Sequence, residues 1–231
     1  MPNFKIMESI FRIVTLKDNK SLKTISNFNE NDILDLGTGF FIDEYGHFLT
    51  AGHVVKDYQT NQVIALYKEK IYKIELLVSN YLGHNRHVKK IKDFAFGKID
   101  TKVTSPLKIS FNSEIKIYDP IMIKGYTMET NTEDAIINIY QSKFTIIPSI
   151  FLNSHFELPK GIFNGKEYGG IIENAFVICY IDDRLIPPRG MSGGPILNQN
   201  NEVIGIFVSG TIKTGTGVMI NDILNEIKMN Y

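Results

Sequence analysis

The chain has 231 residues, and its 25 Lys and Arg residues balance its 25 Asp and Glu residues, so the formal net charge is zero. This balance excludes a general electrostatic attraction to nucleic acid or to an anionic membrane surface, and we expect neither as a partner. Hydrophobic residues make up 43% of the chain and charged residues 22%, which is typical of a globular protein with a sizeable core.

The N-terminal segment does not resemble an export signal, because Glu8 and Arg12 interrupt its apolar residues. No later run reaches the roughly eighteen consecutive apolar residues that a membrane helix needs. Cys179 is the single cysteine, so no intramolecular disulfide can form and a reducing compartment is permitted. We therefore expect a soluble, cytoplasmic protein.

Short runs rich in Ile, Val, Phe and Tyr alternate with Asn, Asp, Gly and Pro, which is typical of strands joined by turns. In chain order, strands are predicted at 11–16, 38–42, 63–67, 71–78, 120–124, 136–140, 175–180 and 203–208. The pattern predicts an all-β protein. Between the later strands, residues 153–170 predict one or more long surface loops.

Helical signals are few. A short helical turn at 51–55 is compatible with the sequence, although Gly52 has a low helix propensity. A clear helical period occurs only at the C-terminus, where Asn221 can cap a turn with Ile223, Leu224 and Ile227 on one face.

Three distant residues carry the elements of nucleophilic catalysis, which needs a hydroxyl, a base that takes its proton and an acid that orients the base. Ser192 lies in Arg189-Gly190-Met191-Ser192-Gly193-Gly194-Pro195, where the glycines permit a tight turn that aims N–H groups inward. His53 follows a predicted strand, and Asp93 opens the alternating segment 93–100. Asp57 and Asp100 are neighbouring carboxylates that compete for the role of Asp93. Only tertiary folding can bring the three residues together.

At these residues the chain resembles the trypsin-like serine peptidase family, in which the three residues occur in the order His, Asp, Ser. The resemblance rests on the Gly-x-Ser-Gly-Gly-Pro core around Ser192, the Leu-Thr-Ala-Gly-His-Val block around His53 and the Asp-x-Ala segment at Asp93. It covers roughly 37–55, 91–100 and 189–217, with a similar turn at 124–126. It is nearest to bacterial proteases of the high-temperature-requirement type and other intracellular members, and we expect no PDZ-like domain after residue 217.

The resemblance implies two packed antiparallel β-barrels with the active site between them. We expect one domain over 1–231, with an N-terminal barrel over about 1–105, a C-terminal barrel over about 106–220 and a closing helix over 221–231. Ser192 would be the nucleophile, His53 the general base and Asp93 the orienting carboxylate. The N–H groups of Gly190 and Ser192 would form the oxyanion hole.

The resemblance also implies a substrate site. Val208, Ser209 and Gly210 match the segment that pairs with an extended substrate. Ile186 would lie at the base of the specificity pocket, which favours an apolar or small side chain before the cleaved bond. Met191 departs from the family, because digestive members carry there an aspartate that pairs with a newly cut N-terminus.

The predicted activity is hydrolysis of protein or peptide substrates through an acyl-enzyme on Ser192, without a cofactor or a metal. An activating protein partner is one open option, since unrestrained proteolysis would harm a cell. The alternative is a catalytically silent binding or scaffold protein of the same fold, which Met191 motivates.

The remaining reactive side chains are interpreted as structural. No third ligand at metal-site spacing accompanies the histidines outside the triad, so they are interpreted as solvated loop residues: His47, His84, His87 and His155. Cys179 is interpreted as a small buried hydrophobe. The basic trio Lys89, Lys90 and Lys92 is interpreted as a solvated face.

Overall fold

The computed structural model of the protein describes residues 7–16, 33–56, 58, 62–81, 92–111, 115–127, 143–153, 156–163, 166–172, 174–182 and 188–230. In chain order the strands are β1 (Ile10–Leu16), β2 (Ile33–Phe41), β3 (His47–Thr50), β4 (Gln62–Tyr67), β5 (Lys70–Tyr81), β6 (Asp93–Ile99), β7 (Pro120–Thr127), β8 (Lys143–Asn153), β9 (Phe156–Phe163), β10 (Lys166–Ile172), β11 (Ala175–Tyr180), β12 (Pro195–Leu197), β13 (Val203–Gly210) and β14 (Thr214–Met219). A 3-10 helix (Gly52–Val55) follows β3, and the helix α1 (Ile220–Asn230) follows β14.

The strands close into two antiparallel barrels. The first has the order β1-β2-β3-β6-β5-β4, and the second has the order β11-β14-β13-β12-β7-β8. Closure pairs every strand of a barrel on both sides, which removes exposed sheet edges. The predicted all-β fold of two barrels with a C-terminal helix is confirmed.

The first barrel is filled by aromatic rings. Phe11 lies with its ring centroid 4.6 Å from that of Phe41 and 5.2 Å from that of Phe48, and all three rings are fully buried. The same core cluster continues into the second barrel through Leu197 and Val208. Because the two barrels share one apolar core, their facing strands are held in fixed relation, which is what a site between them requires.

Helix α1 packs its apolar face against this shared core. Ile223 and Ile227 are buried and Leu224 packs beside them, as the sequence predicts. The predicted cap is wrong, because the helix already begins at Ile220 and Asn221 instead donates from Nδ2 to the carbonyl of Phe111 at 3.4 Å. In the described portion of the protein, no helix is both long enough and apolar enough to cross a membrane.

The prediction of long surface loops over 153–170 is wrong. Strands β9 and β10 form a separate two-stranded antiparallel sheet there, with Phe163 opposite Lys166. The two residues between them in the sequence are Asn164 and Gly165, a pair that strongly favours a two-residue hairpin turn. The predicted strand at 136–140 lies outside the described residues.

Candidate active site

His53, which is half-buried, pairs with the buried Asp93 in the first barrel. The ring Nδ1 of His53 lies 2.9 Å from Oδ2 and 3.1 Å from Oδ1 of Asp93, and the backbone N–H of His53 donates to Oδ1 at 2.9 Å. The Asp93 side chain is 2% exposed and that of His53 is 20% exposed. Asp100 follows the far end of β6, and Asp57 lies outside the described residues. Among the described carboxylates, Asp93 is therefore the one placed against His53.

Two close contacts hold the 3-10 helix that carries His53. A Cβ on Gly52 would lie 2.7 Å from the carbonyl oxygen of Asn80 and 3.0 Å from that of Phe94, so only glycine allows this approach to β5 and β6. On the other side, the hydroxyl of Thr15 donates to the carbonyl of Val54 at 3.1 Å. The predicted helical turn is confirmed, and Gly52 fits it because of packing rather than propensity.

The geometry assigns the tautomer of His53. A carboxylate accepts hydrogen bonds and cannot donate them, so Nδ1 carries the proton that faces Asp93. The second ring nitrogen, Nε2, then holds a free lone pair and can accept a proton. The ring of Tyr81 flanks the imidazole, with centroids 6.1 Å apart. His53 is thus in the form that a general base needs.

The Ser192 loop is a succession of tight turns. Met191 N–H donates to the carbonyl of Pro188 at 3.3 Å, and Gly190 in that turn has φ 86°. Gly193 has φ 88°, and its N–H donates to the carbonyl of Phe207 at 2.7 Å. A positive φ is accessible to glycine at little cost in free energy, which is why glycines lie on both sides of Met191 and Ser192.

The loop is seated directly on the first barrel. Thr38 N–H donates to the carbonyl of Ser192 at 2.8 Å, and the Thr38 hydroxyl donates to the carbonyl of Gly190 at 2.9 Å. A Cβ on Gly193 would overlap the hydroxyl of Thr50 and lie 2.9 Å from the backbone nitrogen of Ala51. Ala51 is two residues before His53. The structure therefore brings the loop of Ser192 against the segment that ends in His53.

Two backbone N–H groups of the loop are left without an acceptor. Within the part of the chain that the structure describes, neither Gly190 N–H nor Ser192 N–H makes a hydrogen bond. Unpaired N–H donors beside a serine hydroxyl can receive a developing negative oxygen. These are the two groups that the sequence predicts for an oxyanion hole.

Strand β13 passes beside the serine. The Ser192 hydroxyl lies 3.4 Å from the carbonyl oxygen of Val208, at a point where the register between β13 and β14 shifts between Phe207 and Ser209. Ser209 and Gly210 are exposed. A strand end that is exposed next to the hydroxyl can pair with an extended peptide.

Two aromatic residues that sequence reasoning missed lie beside this strand end. A Cβ on Gly215 would be 2.5 Å from the ring of Phe207 and 2.7 Å from the hydroxyl of Tyr180, and a Cβ on Gly210 would overlap the same hydroxyl. These two side chains therefore fill the space below the paired glycines. The predicted pocket residue Ile186 lies outside the described residues. The sequence signal for Tyr180 is weak, because the pattern of a predicted strand does not show which of its aromatic side chains lies at the end of a barrel.

Other predicted roles change with the structure. His47 is not a solvated loop residue, because it begins β3, contacts Asp43 Oδ2 at 2.6 Å through Nδ1 and stacks on Phe96. Cys179 is half-buried rather than buried, because it alternates with the core residues of β11.

Lys92 is not simply solvated, because its Nζ lies 3.5 Å from Glu226 Oε2. His84, His87, Lys89, Lys90 and His155 lie outside the described residues. Over the described ranges, no three His, Cys, Asp or Glu side chains cluster as metal ligands would.

Two curated relatives are about a quarter identical to the chain over the residues that align. It is 25% identical over 177 residues to the "Probable periplasmic serine endoprotease DegP-like" of Pseudomonas putida (strain W619), covering 77% of the chain and 29% of that protein. It is 27% identical over 192 residues to the "Serine protease HTRA1B" of Danio rerio, covering 83% of the chain and 33% of that protein. The chain therefore spans about a third of the length of these relatives.

Solved structures have the same fold. The active form of the Rv3671c protease from M. tuberculosis superposes with a TM-score of 0.65 at 18% identity, over 99% of the chain and 83% of that structure. Deg5 superposes with a TM-score of 0.60 at 16% identity, over 96% of the chain and 88% of that structure.

The family model described as the trypsin-like peptidase domain matches residues 37–206. This range includes His53, Asp93 and Ser192 and covers most of both barrels. The chain belongs to the trypsin-like peptidase family.

Proposed function

We propose that the chain is a serine endopeptidase that cleaves protein or peptide substrates, with His53, Asp93 and Ser192 as its catalytic triad. The observation that carries the proposal is the seating of the Ser192 loop on Thr38 and on Thr50–Ala51, next to the His53–Asp93 pair. We expect the Ser192 hydroxyl, the oriented base His53 and the two unpaired amides to meet at this junction of the barrels. This set of groups is the one that serine peptidases use to cleave a peptide bond.

The reaction follows from the roles of these atoms. His53 Nε2 takes the proton from the Ser192 hydroxyl as Oγ attacks the carbonyl carbon, and the N–H groups of Gly190 and Ser192 stabilise the oxyanion. The imidazolium then gives the proton to the leaving amine, which breaks the peptide bond and leaves an ester on Ser192. A water molecule, deprotonated by the same imidazole, hydrolyses the ester. Asp93 keeps its charge throughout and stabilises the imidazolium.

Substrate binding is proposed at the exposed end of β13. Val208, Ser209 and Gly210 would pair with the substrate backbone, as strands do when a peptide extends a sheet. The side chain before the cleaved bond would enter beside Gly210 and Gly215, where Tyr180 and Phe207 leave little depth. Small side chains fit this space best.

Labelling of Ser192 tests the function. A fluorophosphonate probe is expected to modify Ser192 in the protein and to leave Ser192→Ala unlabelled, while turnover of a peptide substrate falls about 10⁶-fold. Ser79→Ala, which removes an exposed hydroxyl from β5, is the matched control and should keep full activity. Absence of both labelling and turnover in the folded protein would favour the silent scaffold instead.

Regulation by a partner protein is a separate proposal. Met191 is fully buried and cannot form the ion pair that orders the loop in digestive relatives, so an additional contact could control the loop. A partner that controls activity would raise the labelling rate when added to the isolated protein. Digestion of unfolded casein at full rate without any partner would contradict this idea.

The cytoplasm is the compartment that we propose, since Cys179 is the single cysteine of the sequence, so no intramolecular disulfide can form and a reducing compartment is permitted. The relative in Pseudomonas putida is named as periplasmic, so the two locations must be distinguished directly. Fractionation of source cells followed by immunoblotting does this, and recovery with periplasmic markers would overturn the proposal.

A further inference from the structure

Thr38, a fully buried residue in the middle of β2, contacts both residues of the proposed oxyanion hole. Its backbone N–H donates to the carbonyl of Ser192 at 2.8 Å, and its hydroxyl donates to the carbonyl of Gly190 at 2.9 Å. The unpaired N–H groups of these two residues stay available for an oxyanion. We propose, resting on the peptidase function above, that Thr38 is a positioning residue that sets the separation and direction of the two oxyanion donors.

The direction of the Thr38 hydroxyl is fixed by a second hydrogen bond. Tyr126 N–H donates to Thr38 Oγ1 at 3.1 Å, so a lone pair of this oxygen is occupied and its own hydrogen is left for Gly190. Tyr126 is in turn held by Phe144, 5.6 Å between ring centroids, and by the guanidinium of Arg12, 5.2 Å from its ring centre. The hydroxyl is thus a fixed bridge between the barrels.

The carbonyl of Thr38 anchors the residue at a third point. It accepts a hydrogen bond from the Thr50 hydroxyl at 2.7 Å, which ties β2 to the residue three positions before His53. One residue therefore links the oxyanion loop and the base. A displacement of the loop relative to the base would have to break several buried hydrogen bonds, each worth about 0.5–1.5 kcal/mol.

Packing around Met191 completes the arrangement. A Cβ on Gly125 would lie 2.8 Å from Thr38 Oγ1 and 3.1 Å from Met191 Sδ, so β7 presses closely on both. Met191 is buried and apolar, and it offers the loop no charge with which to form an anchoring ion pair. The neutral bridge from Thr38 takes the place that an ion pair would have in holding the loop.

The test compares Thr38→Val, which exchanges the hydroxyl for a methyl group, with Thr38→Ser, which retains it. For Thr38→Val we expect kcat to fall at least tenfold, toward the roughly 10²–10³-fold loss that follows deletion of one oxyanion donor, with KM changed less than about twofold. The affinity for a peptide boronic acid, whose oxygen occupies the oxyanion hole, should fall with kcat. Thr38→Ser should recover most of both losses.

Thr127→Val is the matched control, because it removes a hydroxyl of β7 that lies 2.6 Å from the hydroxyl of Thr145. The inference would be overturned if Thr38→Val and Thr127→Val had equal kcat and equal melting temperature, and if the wild type turned over substrate in the same assay. Failure of the wild type to label or to turn over substrate would instead overturn the peptidase function. If Thr38→Val does not fold, Thr38→Ala is measured in the same assays, and wild-type kcat in that variant contradicts the inference.

Discussion

Asp93 binds His53 at two places, through the ring nitrogen Nδ1 at 2.9 Å and through the backbone N–H at 2.9 Å. The double contact fixes both the position of the residue and the rotation of its imidazole. The side chain of Asp93 has to accept both hydrogen bonds at once, and a charged carboxylate does so. A neutral amide in its place would present its NH₂ group to one of the two N–H donors.

Asp93→Asn should therefore disturb catalysis far more than folding. An amide NH₂ that faces Nδ1 reverses the tautomer and moves the proton to Nε2, so kcat should fall about 10⁴-fold, the loss seen when this substitution is made in a triad of the same type. Activity assays with a chromogenic peptide measure this. Asp100→Asn, beyond the end of β6, is the control and should remain fully active; the reverse result would make Asp100 the orienting residue.

The strand pattern and the three motifs around His53, Asp93 and Ser192 could be recognised in the sequence because they are local. The mostly apolar residues of 93–99 indicate a strand, in which all but Lys98 are buried, and the glycines beside Ser192 indicate tight turns. Thr38, Tyr180 and Glu226 could not be found in this way. Their roles depend on contacts with residues thirty or more positions away, and an isolated threonine, tyrosine or glutamate carries no sign of such a contact.

The hairpin of β9 and β10 was missed for a different reason. Gly161, Gly170 and Pro159 weaken a strand interpretation because glycine and proline are unfavourable inside a sheet. A two-stranded sheet tolerates them, since each strand needs pairing on one side only. The Asn164–Gly165 pair between the two strands is the sequence feature that favours a hairpin.

Activity should persist at alkaline pH. In relatives whose loop depends on a free N-terminus, pairing with the aspartate raises the pKa of the α-amino group above its usual value of about 7.7–8.0, and the ion pair is lost as the pH rises through this raised pKa. Met191 is buried and neutral, so no such ionisation supports the Ser192 loop. We expect kcat/KM to stay level from about pH 8 to pH 9.5, and an N-terminal fusion to leave it unchanged. A decline over this range, with the circular dichroism spectrum constant, would contradict the idea.

Tyr180 should set the size of the side chain that is accepted before the cleaved bond. Its hydroxyl lies under Gly210 and Gly215 and removes depth from that space. In a peptide library the wild type should cleave after small residues, and Tyr180→Val should shift cleavage at least tenfold toward larger apolar residues, since each added methylene is worth roughly 1–3 kcal/mol in such a pocket. Tyr67→Phe, a buried tyrosine of the first barrel, is the control. An unchanged profile in Tyr180→Val would rule out this role.

Lys124 should lower the stability of the protein at neutral pH. Its side chain is fully buried, and its Nζ has no hydrogen-bond partner within the described residues. Burial lowers the pKa of Lys124, so the unfolded chain holds this proton at higher pH than the folded one. The free energy of unfolding should therefore rise with pH from the lowered folded-state pKa up to the unfolded pKa of about 10.4.

Lys124→Met tests this by removing the amine while keeping an unbranched chain. We expect the free energy of unfolding to increase by about 1–3 kcal/mol near neutral pH, with the gain shrinking as pH approaches 10. Urea titrations at several pH values measure both effects. Lys108→Met, at an exposed lysine, should change neither. A destabilised Lys124→Met protein would mean that the amine is paired in solution.

Glu226 should support the Asp93–His53 pair from a distance. Located in α1, it accepts from Asn80 Nδ2 at 2.7 Å and lies 3.5 Å from Lys92 Nζ. Asn80 presents its carbonyl to Gly52, and Lys92 directly precedes Asp93. The helix that follows the second barrel thereby holds the ends of both strands that frame the base.

Glu226→Ala should consequently reduce kcat roughly tenfold, less than the 10²-fold that a 1 Å misplacement can cost, while KM changes little. Glu226→Gln keeps an oxygen for Asn80 and loses only an ion pair that is partly solvated, so it should remain near wild type. Glu75→Ala, an exposed carboxylate on the same strand as Asn80, serves as the control. The two contacts of Glu226 predict different values of kcat for Glu226→Gln. If the hydrogen bond from Asn80 matters more, this variant stays near wild type. If the ion pair with Lys92 matters more, it is as slow as Glu226→Ala. Equal rates for all three variants and the wild type would show that α1 stabilises the shared core without positioning His53.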